Sequence, residues 1–452
     1  MSGRDAVHVQ WSSRWAFILA ATGSAVGLGN IWKFPYIAGE YGGGAFVLVY
    51  LLCIALIGIP IMTAEVLIGR RGRRSPVGAL ARLAVEGGMS RHWRLIGWMG
   101  IVAGFLILSF YSVVAGWALA YVFQMQSGVF SGADSELAGA LFTDLLASPD
   151  QLMLWHTVFM GMTIFVVARG VLSGLERAVT ILMPLLLVLL LLLVGYGLAS
   201  GGFPQAITFM FTPDFSKLTT TAVLVAMGHA FFTLSLGMGA IMVYGSYLPQ
   251  SASIPKTVVT VGVMDTVVAL LAGLAIFPIV FSQGMSPAEG PGLIFMTLPV
   301  AFGSMPGGTL FGTLFFILLV FAAWTSAISL IEPVTAWMEE NTRLSRPLAA
   351  GLCGGLAWLL GIGTVLSFNL WQDHTFMGQT FFGVLDFLTS NILLPLGGLL
   401  IAIFAGWLMQ REATRDELGV GDGIAYRAWR LVVRYLAPLG IGLVVLHVMG
   451  VI

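Results

Sequence analysis

The sequence predicts an all-α integral membrane protein with eleven transmembrane helices, and three observations predict it. Of the 452 residues, 58% are hydrophobic and only 9% are charged, so the apolar surface exceeds what one aqueous core can hide. Runs of about 20 apolar residues, the length that crosses the hydrocarbon, recur from Trp15 to the C-terminus. Two of these runs are interrupted by closely spaced glycines, at Gly23, Gly27 and Gly29 and again at Gly237 and Gly239.

The eleven spans fall at 14–38, 43–69, 95–126, 152–169, 172–197, 218–246, 255–282, 308–338, 347–367, 380–409 and 427–450. The segment before the first carries no short apolar core with a small-residue cleavage site, so residues 1–13 read as a tail and the first span is expected to stay. Apart from Lys33 and Lys217, the 21 lysines and arginines lie in the tail or on the side that a cytoplasmic N-terminus leaves inside, with clusters at 70–74 and 411–434. This bias places the N-terminus in the cytoplasm and, with an odd span count, the C-terminus outside the cell membrane. The loop 127–150 has four acids, Asp134, Glu136, Asp144 and Asp150, and no base, as an outer loop would. The basic clusters read as topology signals, so no nucleic-acid partner is expected. Cys53 and Cys353 lie alone in apolar spans and suggest neither a disulfide nor a metal site.

The first and sixth spans are expected to break at their middles. Each glycine costs roughly 1 kcal/mol against alanine inside a helix. Backbone freed from its helical ladder at membrane depth survives only against protein or a water-lined cavity. Paired interruptions of this kind point to the central site of a transporter. The first break frees the carbonyls of Gly23, Ala25 and Val26, a cluster that suits a hard monovalent cation, of which sodium is the natural occupant. Near it fall the side-chain oxygens of Asn30, Thr233, Asp265, Thr325 and Ser326, each costly in an apolar span unless partnered. A single Ser or Thr there ordinarily bonds its own helix's preceding carbonyl. The half-helix after the first break points its N–H groups into the pocket, which favours an anion such as an amino-acid carboxylate.

From Trp11–Arg14 and the stretch 23–35 through GGGAF (42–46), FFTLSLGMG (231–239), FAAWTSAIS (321–329) and DFLTSNILLPLGG (386–398), the chain resembles the neurotransmitter:sodium symporter family over essentially its whole length. It most resembles the bacterial amino-acid members that lack a twelfth helix. The resemblance implies two inverted five-helix repeats, residues 14–200 and 201–410, with a loop and one extra helix over 411–452. It sorts the oxygens into two sodium sites. The first takes the Ala25 carbonyl, Asn30, Thr233, Asp265 and the substrate carboxylate. The second takes the carbonyls of Gly23, Val26 and Ala322 with the hydroxyls of Thr325 and Ser326. It lines the substrate pocket with Ala25, Gly27, Leu28, Gly29, Ile107, Tyr111, Phe232, Thr233, Ser235, Met238, Ser326 and Leu330, where Tyr111 bonds the carboxylate. Gly27 stands where amine-selective members carry an acid, so the ligand must bring its own carboxylate.

Lys33 and Asp386, single charges inside spans one and ten, are expected to pair as an outer gate above a Phe232 lid. The family usually carries arginine there, and lysine loses the bidentate fork. On the inner side Trp11, Tyr247, Glu332 and Glu340 match the family's cytoplasmic closure. His8 stands where arginine is expected, with Arg4 as the alternative partner of Glu340. Gly174 and Pro184 match a helix-opening motif in span five, the proline able to kink its helix. Glu65 is expected to bond backbone at the second break; Tyr50 belongs either to the ion neighbourhood or to packing. Asp265 also stands where chloride-dependent relatives carry asparagine, with Ala269 for their serine. Its carboxylate is expected to replace chloride and to be neutralised on the return step, and His229, one turn before Thr233, either shares that proton or is structural.

Together these readings imply uptake of a hydrophobic L-amino acid with two sodium ions by alternating access, without chloride and with proton counter-transport. A channel and a non-transporting sensor of the same fold are the alternatives. No HExxH, GxSxG or paired-acid motif supports an enzyme.

Overall fold

The computed structural model describes residues 10–288 and 292–448. Among these, nine helices are long and apolar enough to cross a membrane, and Arg14–Ala25 with Gly29–Glu40, bent by 49° at its break, makes a tenth. The long helices keep the predicted order with ends moved by a few residues: the second runs over Gly44–Gly72, the eighth over Gly308–Asn341, the last over Ile424–His447. His8 and Arg4, the expected cytoplasmic partners of Glu340, lie outside the described residues.

The run at 218–246 is interrupted where the glycines predict a break. It is two helices, Thr220–Thr233 and Ala240–Ser246, joined by non-helical backbone at 234–239. Ser235, Gly237 and Gly239 there take φ of 54°, 79° and 77°, left-handed values that end a right-handed helix and that glycine adopts without strain. Both broken helices start alike, with a hydroxyl satisfying a free N–H of the first turn: Ser13 accepts from Ala16 N at 3.1 Å and Thr219 from Ala222 N at 3.1 Å.

The centre of the bundle is made by Arg91–Gln126 and Gly308–Asn341, in whose most apolar stretches 78% of residues are buried; for Ile424–His447 the figure is 22%, which puts that helix at the edge. Peripheral helices turn bare hydrocarbon outward. Val171–Ala199 exposes Ile181, Leu185, Val188, Leu191 and Leu192, a face that only lipid can solvate. The chain is a multi-pass membrane protein.

The loops carry short helices that hydropathy did not single out: Pro76–Glu86, Ser135–Ala147, Phe203–Phe211, Leu293–Gly303 and Arg411–Leu418. In the acidic loop, Asp134 caps Ser135–Ala147 by accepting from Leu137 N at 2.8 Å. Both cysteines are buried and free.

Candidate ion and substrate site

The two breaks lie against each other. Ser235 Oγ, in the second, donates to the Ser24 carbonyl beside the first at 2.8 Å. Glu65, from Gly44–Gly72, accepts the Gly237 N–H at 2.7 Å, so a buried carboxylate holds one of the N–H groups that the second break sets free.

Two clusters of oxygens flank the junction. In one, Asn30 Nδ2 donates to Asp265 Oδ1 at 2.8 Å and to the Asp265 carbonyl at 3.2 Å, while Asn30 Oδ1 accepts from Gly27 N at 3.1 Å. Thr233 Oγ1 donates to the same carboxylate at 3.2 and 3.3 Å, and all three residues are buried. The Ala25 side chain lies alongside, on the wall of the adjoining cavity. In the other cluster, Ser326 Oγ lies 3.4, 3.1 and 3.4 Å from the carbonyls of Gly23, Ser24 and Val26. Thr325 Oγ1 donates to the carbonyls of Phe321 and Ala322 of its own helix at 3.2 and 3.0 Å. A Cβ on Gly23 would come within 3.3 Å of the Thr325 Cβ, so the two helices pack closely at these residues. The chemistry of both clusters is neutral oxygen with at most one carboxylate. That donor set suits a hard monovalent cation.

Between the clusters lies a small cavity of about 20 Å³, lined by ten of the twelve predicted substrate residues; of the other two, Leu28 lines a larger adjoining cavity and Thr233 belongs to the Asp265 cluster. Ser24 and Ser329 also line it, joined by a 2.7 Å hydroxyl bond. Sequence reasoning missed both, although Ser329 follows Ser326 by one helical turn. Tyr111 Oη accepts from Leu28 N at 3.2 Å, beside the amide end of the resumed helix. Gly27 has no room for a side chain: a Cβ would meet Ser326 Oγ at 2.4 Å and Tyr111 Oη at 2.8 Å.

Tyr111 and Phe232 also line a second cavity of about 350 Å³ that adjoins the first. Its walls are aromatic, with Lys33 and Asp386 on them. These two charges share the cavity without forming an ion pair. The Lys33 ammonium lies 4.8 Å from the centroid of the Phe232 ring, and Asp386 accepts from Ser390 Oγ at 2.9 Å.

The opposite side is packed shut. Trp11, 2% exposed, donates through Nε1 to the Tyr244 carbonyl at 3.1 Å and through its N–H to the Tyr247 carbonyl at 3.0 Å. Tyr247 Oη donates to Glu332 at 2.8 Å, and Arg346 grips both Glu332 and Glu339. Arg346 was not foreseen; the signal for it is Glu332, a wholly buried acid that needs a cation. Glu340 instead accepts from Ser75 N at 2.5 Å and Ser75 Oγ at 2.6 Å.

Four further predicted residues, Gly174, Pro184, His229 and Tyr50, have the following surroundings. A Cβ on Gly174 would stand 2.1 Å from the Val166 carbonyl, so close helix contact alone requires glycine; Pro184 sits inside Arg177–Ala199. His229 does not touch Asp265. Its ring stacks on Phe34 at 6.1 Å and lies tilted against Tyr50 at 5.4 Å, and among the described residues neither nitrogen has a hydrogen-bond partner. Tyr50, buried between His229 and the Asp265 cluster, makes no well-formed hydrogen bond through its hydroxyl.

The sequence profile of the Sodium:neurotransmitter symporter family matches residues 8–132 and 143–449. The chain is 41% identical to the uncharacterized sodium-dependent transporter YhdH of Bacillus subtilis, covering 98% of each. It is 35% identical to an uncharacterized sodium-dependent transporter of Haemophilus influenzae over 95% of each. Among solved structures it is similar to MhsT in complex with L-phenylalanine, with a TM-score of 0.90 and 46% identity over 97% of this chain and 99% of that one.

Proposed function

This chain belongs to the sodium:neurotransmitter symporter family, a family of transporters rather than enzymes, and on that premise we propose that it carries hydrophobic L-amino acids into the cell together with two sodium ions. The reading has eleven spans, the broken helix 220–246 being the sixth, in two inverted repeats over 14–200 and 201–410. The N-terminus is cytoplasmic and the C-terminus outside.

The observation that carries the substrate class is the small cavity at the two breaks. Its walls, among them Ile107, Met238 and Leu330, are mainly apolar, and its polar groups are hydroxyls and backbone rather than charges. A zwitterion lays its carboxylate at the Tyr111 hydroxyl and the Leu28 amide end. Because Gly27 leaves no space for an acid, a lone amine finds no counter-charge. The similarity to a protein solved with L-phenylalanine supports the same class.

The first sodium site is Asn30, Thr233, Asp265 and the Ala25 carbonyl, completed by the substrate carboxylate; the second is Gly23, Val26, Ala322, Thr325 and Ser326. The closed inner side and the larger outer cavity support an outward-facing arrangement. Substrate descends past Phe232, and Lys33 then leaves the Phe232 ring to meet Asp386. Asp265 stands in for chloride and gives up its sodium for a proton on the way back.

The test is uptake of radiolabelled leucine, phenylalanine and tryptophan into proteoliposomes under an inward sodium gradient. Sodium-driven accumulation abolished by collapsing the gradient is expected. Binding without uptake would make the protein a sensor, and current without saturation would make it a channel.

A further inference from the structure

At the end of the molecule that the above reading places in the cytoplasm there is a separate cavity of about 720 Å³, and its walls are basic. Helix Pro76–Glu86 and the residue run before it supply Arg74 and Arg82, and the first turns of Arg91–Gln126 supply Arg91 and Arg94. The end of Gly308–Asn341 closes the third side with Trp337, which stands 4.6 Å, centroid to centroid, from Trp98. The spacing of Arg91, Arg94 and Trp98 at i, i+3 and i+7 puts all three on one helical face.

None of these four arginines forms an ion pair among the described residues. The acids nearby are already taken: Glu86 by Arg71, Glu417 by Arg70, Glu332 and Glu339 by Arg346. Glu340, the one carboxylate on the wall, has Ser75 N and Oγ on its oxygens. Arg82 makes a single contact, 3.3 Å to the Gly72 carbonyl. Glu340 lies close to Arg74 and offsets part of its charge, which leaves an excess of three positive charges around one concavity; these repel one another and raise the local potential, and an anion with several oxygens relieves both. The guanidinium fork matches phosphate geometry, and an indole pair at the membrane–water boundary suits a group whose other end is apolar.

We propose that this cavity binds a phosphate group, brought there by the headgroup of an anionic phospholipid or by a soluble phosphate. The proposal rests on the transporter reading only for the side of the membrane. The site is some distance from the ion and substrate cluster and shares no residue with it.

The test uses the full-length protein, stripped of lipid in a neutral detergent, and reads native mass spectrometry and thermal unfolding. The probes are dioleoyl phosphatidylglycerol, dioleoyl phosphatidylcholine, and inorganic phosphate alone. Saturable binding of phosphatidylglycerol but not phosphatidylcholine is expected, with affinity falling as salt rises. Arg82→Gln, Arg91→Gln and Arg94→Gln should each weaken it roughly threefold to tenfold, whereas Arg343→Gln, an equal charge loss elsewhere on the same end, leaves it unchanged. Competition by inorganic phosphate supports a soluble source; its absence supports the lipid. Sodium-dependent leucine binding in the same samples reports folding and the transporter reading independently. Binding that is equal in wild type and the three variants, or equal for the two lipids, overturns the proposal whatever the leucine signal does.

Discussion

Thr325 allows the ion assignment to be tested against the most ordinary alternative. Its hydroxyl donates to its own helix's carbonyls of Phe321 and Ala322 at 3.2 and 3.0 Å, and such a back-bond contributes little to a helix. If that were its whole role, Thr325→Val, which keeps the β-branched shape, would change stability by less than about 1 kcal/mol and sodium affinity not at all. As a ligand to a monovalent cation the same hydroxyl contributes a charge-assisted contact of about 1.5–3 kcal/mol, so its loss should raise the half-saturating sodium concentration by roughly 10- to 150-fold. Thr335 is a matched control: it is on the same helix, equally buried, and donates to the Ile331 carbonyl at 3.0 Å. Ten residues at 1.5 Å each put it about 15 Å away along the axis. Scintillation-proximity binding of leucine, titrated with sodium on Thr325→Val and Thr335→Val, separates the two. A Thr325→Val half-saturation within twofold of both wild type and the control would refute the second sodium site.

Asn30→Ala should likewise weaken sodium binding and, because it strips an amide from the buried Asp265 and an acceptor from Gly27 N, also cost about 1–3 kcal/mol of stability, read as a lower unfolding midpoint. Gly27→Ala should abolish leucine binding in a protein that still unfolds cooperatively, since its Cβ would intrude between Ser326 and Tyr111; wild-type affinity would remove the pocket from this place. Lys33→Ala should accelerate leucine release to the outside several-fold, because Asp386 loses its closing partner, and an unaltered off-rate means that Lys33 is no gate. Arg346→Gln should leave Glu332 buried without its cation and open the inner side, which cysteine labelling from the cytoplasmic face would report as increased access; unchanged labelling would place the closure elsewhere.

The breaks were legible because glycine in a helix is a cost that needs a reason, and here the reason is positive φ at Gly237 and Gly239. The polar cluster was legible for a similar cause: Asn30, Thr233 and Asp265 are each expensive alone in an apolar span, and together they satisfy one another. What one chain of letters does not carry is the direction of a flexible or aromatic side chain. Lys33 and Asp386 face one cavity as expected, yet the ammonium lies over Phe232. His229 is one turn from Thr233 as its number says, yet its ring turns into Phe34 and Tyr50. Arg346 was hidden differently, since a loop arginine beside a membrane span looks the same whether it marks topology or closes on Glu332.

Asp265 links the ion chemistry to the energetics of the proposed cycle. A carboxylate that belongs to the chain, unlike a chloride ion, cannot leave with the cargo. Once sodium has gone, it would face the return step buried, with Asn30 and Thr233 as hydrogen-bond donors, and carrying an unpaired charge near mid-membrane costs several kcal/mol. Taking up a proton removes that cost, and the proton then moves outward. Two sodium ions entering at 100 mV, inside negative, release about 4.6 kcal/mol, enough for roughly a thousandfold accumulation; one proton leaving takes back about 2.3 kcal/mol and reduces the electrical part to roughly fiftyfold. In the proposed cycle the carboxylate would thus exchange electrical driving force for independence from chloride. In that cycle sodium would come first because of Asn30: the side chain that binds Asp265 also holds the Gly27 N–H, at the start of the backbone proposed to meet the substrate carboxylate. An ion drawn to Asp265 therefore orders the break to which the amino acid docks, and coupling follows from one amide shared by two jobs.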